Sequence, residues 1–148
     1  SIFRWSKNWS IARIFIINSF WLSTNFILFK KMIENKIIEM ANNTKFNGLK
    51  KDSTHSSSLK NKKCGDRIKV EIKIKNKRIK EMRYETESCV FCEASASILS
   101  VNLKNKKISE IDKIKNTYQF KYLLSKKFIS RKDCVMLPLE AIKKAIKT

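Results

Sequence analysis

The stretch Leu59–Leu99, LKNKKCGDRIKVEIKIKNKRIKEMRYETESCVFCEASASIL, contains the pattern that decides the fold. Apolar and charged residues alternate over Ile68–Lys75, which is typical of a β-strand with one buried and one solvent-exposed face. Asn76 and Lys77 indicate a turn, and the alternation resumes over Lys80–Ser88. The stretch therefore predicts an antiparallel β-hairpin.

The phase of this pattern changes twice after the turn. Ile79 is out of step with Met82, so we expect a wider turn or a β-bulge between them. Over Val90–Leu103 the apolar residues recur at helical spacing, which predicts a helix with one buried face. That face is expected to contain Phe91, Ala94, Ile98 and Val101.

Two elements are predicted on the N-terminal side of the hairpin. Met32–Asn43 has apolar residues at helical spacing, which indicates a helix. Lys50–Lys63 is polar and irregular, but its Ser/Thr run can form a short edge strand.

The C-terminal side is predicted to be helical. Ser109–Ile114 is expected to form a short helix with Ser109 as its N-cap, and Thr117–Phe128 forms a further segment. A last helix is expected after Cys134, with Pro138 in its first turn. A few strands followed by helices predict an α+β domain, in which a small antiparallel sheet of the hairpin and a short edge strand packs against helices.

The composition is strongly basic. The 148 residues carry a formal net charge of +20, but only six of the 33 basic residues are Arg, the residue that contacts phosphates best. Because the aromatic and Arg stripe that stacks bases is also missing, we expect no nucleic-acid partner. The alternative, a basic nucleic-acid-binding module with structural cysteines, predicts strongly salt-dependent binding to DNA or RNA.

Residues 1–31 differ from the rest of the chain. They contain no acidic residue, and Ile11–Phe29 is mostly apolar and close to the length of a membrane span. Three interpretations stay open: a membrane anchor or uncleaved signal, a targeting segment, or the product of a start codon assigned too far upstream. We expect the working domain to be residues 32–148, with membrane contact only if residues 1–31 are a real anchor.

The cysteines indicate a metal or redox site. Two disulfides are less expected, because disulfide-dependent domains are usually small, secreted and turn-rich. Cys64 precedes the first strand of the hairpin, Cys89 lies between the second strand and the helix, and Cys134 precedes the last helix. A helix start favours an anion, so Cys89 and Cys134 are predicted to have lowered pKa values.

Asp66 can complete a metal site. If Cys64 and Asp66 lie on an extended segment, their side chains share one side, which gives three sulfur ligands and one oxygen ligand. Cys89 and Cys92 also form a C-x-x-C, but the flanking pattern of a thioredoxin-type redox pair is missing. Cys92 is expected to be a packing residue or a spare thiolate, and His55 a solvated loop residue.

These motifs together resemble the U-type iron–sulfur cluster assembly scaffolds, the IscU, SufU and NifU N-terminal family. Leu59–Leu99 resembles the family's core, with Cys-Gly-Asp, a hairpin, and a Cys that opens a helix of small residues. Lys104–Asn116 resembles its connector and Arg131–Ile146 its final Cys-containing helix. The resemblance runs from about Met32 to Lys147 and implies an IscU/NifU-N-like fold.

The resemblance also implies a function. A cysteine desulfurase would deliver persulfide sulfur, iron would join it, and a transient [2Fe–2S] cluster would pass to iron–sulfur acceptor or carrier proteins. Cys64, Cys89 and Cys134 match the three family cysteines, and Asp66 matches the family's Asp, so these four are the expected ligands for Zn²⁺ or Fe²⁺. By the same resemblance, Cys134 is the expected persulfide acceptor. The expected location is cytoplasmic, with the mitochondrial matrix as the alternative.

Two departures from the family pattern matter. Asp133 stands where many IscU proteins have a His ligand, which leaves Asp66 as the expected fourth ligand and favours the zinc-holding SufU type. The short interval between Cys89 and Cys134 lacks the insertion typical of SufU. A zinc-dependent sulfurtransferase that relays persulfide sulfur therefore stays open as an alternative to the scaffold.

Overall fold

The computed structural model describes residues 24–147 of the chain. The chain divides into two compact units, Ser1–Lys36 and Ile37–Thr148. Residues 24–42, here α1, are helical, which confirms the predicted helix and extends it toward the N-terminus. Most of the apolar extension lies outside the described residues. Between residues 24 and 147, no helix combines the length and the apolarity that crossing a membrane requires.

A three-stranded antiparallel sheet forms the centre of the second unit as far as it is described. Its strands are β1 (His55–Lys60), β2 (Arg67–Lys75) and β3 (Arg78–Glu87), hydrogen-bonded in that order. β2 and β3 are the predicted hairpin, and β1 is the predicted edge strand in the Ser/Thr run. The predicted α+β architecture with a hairpin and an edge strand is confirmed.

The hairpin turn combines a tight loop with a bulge. Asn76 and Lys77 both have positive φ, at 54° and 58°, as in a two-residue turn of type I′. The register then shifts, because Ile74 pairs with Ile79 whereas Lys73 pairs with Glu81. The extra residue on β3 rotates Ile79 into the core, where it is completely buried. The predicted bulge is therefore confirmed.

Two long helices cover one face of the sheet. α2 (Val90–Asn102) packs against β3, and α4 (Lys132–Lys147) packs against β1, β2 and α2. Between them in sequence lie a 3₁₀ segment (Ile108–Asn116), the short helix α3 (Tyr118–Leu123) and a second 3₁₀ segment (Lys126–Arg131). The core is filled by fully buried apolar side chains of the sheet and both helices, among them Ile68, Val70, Ile72, Met82, Leu99, Val135, Leu139 and Ile142.

The predicted buried face of α2 is only half right. Ala94 and Ile98 are buried as expected, whereas Phe91 is half-buried and Val101 is 45% exposed. The physical reason is that α2 is enclosed on several sides by β3, α3 and α4. Small residues permit that close approach, so the small side chains of Ala94–Ser97 are all buried, whereas Phe91 and Val101 are not.

Two predicted helix starts are also wrong. The segment expected to begin at Ser109 is a 3₁₀ helix capped by Lys107, whose backbone N–H donates to Glu110 Oε2 at 3.3 Å. The last helix begins at Lys132 and therefore contains Cys134 in its first turn. Pro138 consequently lies inside this helix rather than in its first turn.

Candidate metal centre

Three chain segments meet at one end of the sheet. Cys64 and Asp66 lie on the loop between β1 and β2, Cys89 is the residue before α2, and Cys134 is in the first turn of α4. The hairpin register causes part of this meeting: Arg67 pairs with Glu87, so the residues just outside this pair are neighbours. The packing of α4 on the sheet brings in the third segment.

The ligand atoms of Cys64, Asp66 and Cys134 all lie within 4.8 Å of one another. The Sγ atoms of Cys64 and Cys134 are 3.7 Å apart, and both thiols are free. Two sulfur atoms on a tetrahedral zinc ion with Zn–S bonds of about 2.3 Å would be about 3.8 Å apart. The Cys89 thiol lies outside this closest group, although it interacts with both Asp66 and Cys134.

The loop that carries Cys64 turns at Gly65. Gly65 has φ +76°, a left-handed conformation, and no atom of residues 24–147 lies within 4 Å of the position that a Cβ would take. Its N–H donates to the Asn61 carbonyl, and the Asn61 N–H donates to the Asp66 carbonyl, each at 2.8 Å. Cys64 and Asp66 therefore do not lie on an extended segment, so the condition considered in the sequence analysis is not met. The turn, rather than strand alternation, brings both side chains to the same place.

Asp66 has the environment of a metal ligand. Its carboxylate accepts the Cys89 backbone N–H at Oδ1, 3.2 Å away, and Oδ2 is buried with no partner at hydrogen-bonding geometry among the described residues. Burial raises the pKa of Asp66, but weak contacts from the thiols of Cys134, Cys64 and Cys89 and that N–H outweigh it. The pKa therefore lies below its ordinary value. A buried, ionised oxygen without a partner is suited to a cation, so this donor set fits Zn²⁺ or iron.

The predicted low pKa of Cys134 is wrong for the metal-free protein. Cys134 is only 3% exposed, and burial raises its pKa, as do weak contacts with Asp66, Cys64 and Cys89 and the charge of Cys89. Helix start effects are small compared with burying a thiolate beside a carboxylate. Burial beside a carboxylate therefore favours the neutral thiol of Cys134.

Cys92 and His55 are not part of the group of ligand atoms that lie within 4.8 Å of one another. Cys92 is completely buried, and burial raises its pKa to about 11, which favours a packing role over a redox pair with Cys89. His55 is on β1 rather than in a loop, at the end remote from Cys64, with its Nδ1 2.9 Å from Thr54 Oγ1.

Sequence reasoning missed an ion pair at the rim of the centre. Lys63 Nζ lies 3.4 Å from Asp133 Oδ2, so residues adjacent to Cys64 and Cys134 are paired. Both side chains are exposed, and an exposed pair of this kind contributes little to stability. The sequence did contain a signal for this pair, because Lys63 adjoins Cys64 and the oppositely charged Asp133 adjoins Cys134.

A family model of the NifU-like N terminal domain matches residues 32–148. The chain belongs to this family.

Two similar curated proteins are an iron–sulfur cluster assembly scaffold protein IscU from Thermotoga maritima and an iron–sulfur cluster assembly protein IscU from Plasmodium falciparum. The first is 33% identical over 85 residues, covering 57% of this chain and 60% of the relative. The second is 38% identical over 84 residues, covering 57% and 51%. The chain thus spans half to three fifths of their lengths.

Solved structures show the same fold for this NifU-like domain. One is a putative SufU scaffold protein from Fervidobacterium islandicum, with a TM-score of 0.66 and 19% identity over 74% of this chain and 93% of that one. Another is the N-terminal part of a NifU-like protein from Brucella abortus, with a TM-score of 0.67 and 19% identity over 75% and 89%. The α+β fold predicted from the resemblance is therefore that of IscU/NifU-N-like proteins.

Proposed function

We propose that this chain is a scaffold on which a transient [2Fe–2S] cluster is assembled and from which it passes to acceptor or carrier proteins. The observation that carries the proposal is the meeting of Cys64, Asp66 and Cys134, with Cys89 at its edge, around a buried carboxylate oxygen that has no hydrogen-bond partner among residues 24–147. Thiolate ligands are the usual attachment for such clusters. Membership of the NifU-like N-terminal family supports the same function.

In the proposed reaction, a cysteine desulfurase supplies sulfur as a persulfide. The Cys134 thiolate attacks the terminal sulfur, the desulfurase thiolate leaves, and Cys134 keeps the sulfur as its own persulfide. Each such sulfur needs two electrons from an external reductant to become sulfide. Because the metal-free Cys134 thiol is buried and neutral, a bound cation would make this residue a better acceptor by favouring its thiolate.

A zinc-dependent sulfur relay is the second candidate. Asp66 gives the centre an oxygen ligand beside its sulfurs, and a closed set of four protein ligands would retain Zn²⁺. In this case the zinc stays bound, and only persulfide sulfur moves through the site. Asp133 stands where many IscU proteins have a histidine ligand, which leaves Asp66 as the proposed fourth ligand and favours this alternative.

The deciding experiment is anaerobic reconstitution of the full chain. Ferrous iron, cysteine and a cysteine desulfurase are added, and the visible spectrum and zinc content are recorded. A rising cluster absorbance with loss of zinc supports the scaffold, whereas a colourless protein that keeps one zinc and becomes persulfidated supports the relay. Absence of metal, cluster and persulfide would contradict both. The Cys92→Ala variant is the matched control, because Cys92 is a free thiol that is not among the proposed ligands.

The proposed location is a reducing compartment, since the thiols must stay reduced to bind metal. We propose the cytoplasm, with the mitochondrial matrix as the alternative; one relative of this family is named as mitochondrial.

A further inference from the structure

The hydroxyl of Ser95 joins the two helices that carry Cys89 and Cys134. Ser95 lies on α2, is completely buried, and donates a 2.6 Å hydrogen bond from Oγ to the backbone carbonyl of Val135 on α4. Val135 directly follows Cys134, and α2 begins directly after Cys89. The bond therefore fixes α2 to the first turn of α4, one residue from a candidate ligand.

The first turn of α4 also lacks one of its regular helical hydrogen bonds. Pro138 has no N–H, so position 138 donates no bond to the carbonyl of Cys134, four residues earlier in the helix. The segment before α4, Lys126–Arg131, is a 3₁₀ segment with non-helical φ and ψ at Phe128, so it does not extend α4 as a regular helix. A carbonyl has two lone pairs, and Val135 can accept the Ser95 hydroxyl in addition to its helical donor.

We propose that Ser95 is a positioning residue for the metal centre. By holding the backbone at Val135, its hydroxyl sets the distance and orientation of the Cys134 thiol relative to Cys89 and Asp66. Ser95 does not contact the metal in this proposal; it acts through the backbone of the residue next to a ligand. The inference rests on the proposed function, because it assumes that Cys134 binds the cluster or its metal.

Two other serines make the same kind of bond without touching this turn. Ser57 Oγ donates to the carbonyl of Ala141 at 2.5 Å, also on α4 but six residues, or about 9 Å, further along. Ser100 Oγ donates to the carbonyl of Ser97 at 2.7 Å, within α2 itself. Changing either serine to alanine removes one hydroxyl and one bond to a helix carbonyl, so both are matched controls for Ser95→Ala.

The test uses the full chain and Co²⁺ alone as the probe. Co²⁺ bound by thiolates gives charge-transfer and ligand-field bands that report the number and arrangement of sulfur ligands. We expect Ser95→Ala to weaken Co²⁺ binding about tenfold or more, as lost outer contacts of metal ligands do, and to shift the ligand-field bands. Ser57→Ala and Ser100→Ala should retain the wild-type affinity and spectrum.

A second readout needs no metal. The alkylation rate of each cysteine in the metal-free protein is followed by mass spectrometry of its peptide. Because the Cys134 thiol is buried, Ser95→Ala should speed its alkylation several-fold, whereas the two control variants should not. Urea unfolding of all variants shows whether a difference in Co²⁺ affinity or in Cys134 alkylation is explained by a lower free energy of unfolding alone.

The outcomes separate this inference from the proposed function. If wild type binds Co²⁺ through thiolates but Ser95→Ala matches Ser57→Ala and Ser100→Ala in spectrum and Cys134 alkylation, Ser95 only stabilises the fold and the inference is wrong. If wild type shows no thiolate-to-cobalt bands, the proposed metal centre is wrong. In that case the alkylation rates still decide whether Ser95 positions Cys134.

Discussion

At the scale of single residues, Gly65 is the position where backbone conformation and the metal centre depend on each other. With φ +76° and no atom within 4 Å of a would-be Cβ, an added methyl would meet no clash and only conformational strain. We expect Gly65→Ala to lower the free energy of unfolding by about 1–2 kcal/mol. It should also weaken Zn²⁺ binding, because a relaxed turn moves Cys64 away from Asp66.

Gly48 provides the matched control for this prediction. It also has positive φ, at +93°, with no atom within 4 Å of a Cβ position, but it lies outside the loop that carries the thiols. Gly48→Ala should lose comparable stability and keep the wild-type zinc affinity, measured by competition with a chelator. Equal zinc affinities in the two variants would show that the Gly65 turn does not hold the centre in place.

At the scale of elements, the turn of the β2–β3 hairpin contains a residue with backbone strain that a substitution can relieve. Lys77 has φ 58° in a turn whose second position favours glycine. We expect Lys77→Gly to raise the free energy of unfolding by about 1 kcal/mol in urea denaturation. Lys69→Gly, at an exposed position in the middle of β2, should instead lower it by a similar amount. A loss of stability in Lys77→Gly would contradict the observed turn.

The elements also show which parts of the fold were predictable. The hairpin and its bulge follow from local alternation and from the phase of Ile79, so they could be predicted. The buried side of α2 could not, because it depends on the close packing of Ala94–Ser97 against other elements. The position of Cys134 was missed for a related reason: Pro138 suggested a helix start, whereas tertiary packing maintains α4 through an interior proline.

At the scale of the whole molecule, the candidate centre depends on contacts between distant parts of the chain. Cysteines at element ends could be recognised in the sequence, and Cys64, Asp66 and Cys134 do meet. Their electrostatics could not be predicted, because the pKa of Cys134 depends on burial and on groups that only the folded chain brings together. A local rule about helix starts therefore gave the wrong direction for this thiol.

These electrostatics predict how pH controls metal binding by the folded chain. The raised pKa of Cys134 means that its folded thiol holds its proton at neutral pH, and a bound cation must displace that proton. Stability gained by keeping this thiol neutral is present below its unfolded pKa and is lost as pH rises through the folded value. Both pH 6 and pH 8 lie below the unfolded pKa of the thiol, so this term is nearly the same at both. Zn²⁺ binding releases the thiol proton and is favoured at higher pH, so the increase in unfolding temperature caused by Zn²⁺ should be larger at pH 8 than at pH 6.

The Cys92→Ala variant tests whether the pH dependence of the zinc effect comes from a metal ligand or from any buried thiol. The pKa of Cys92 is also raised, to about 11, chiefly by burial, with smaller contributions from the charges of Asp66 and Cys89, but Cys92 is not among the proposed ligands. In the Cys92→Ala variant the increase caused by Zn²⁺ should keep its dependence on pH, whereas Cys134→Ser should reduce both the increase and its pH dependence. A zinc effect that is the same at pH 6 and pH 8 in the unmodified chain would mean that no protonated thiol has to ionise. The neutral Cys134 described here would then not be a ligand.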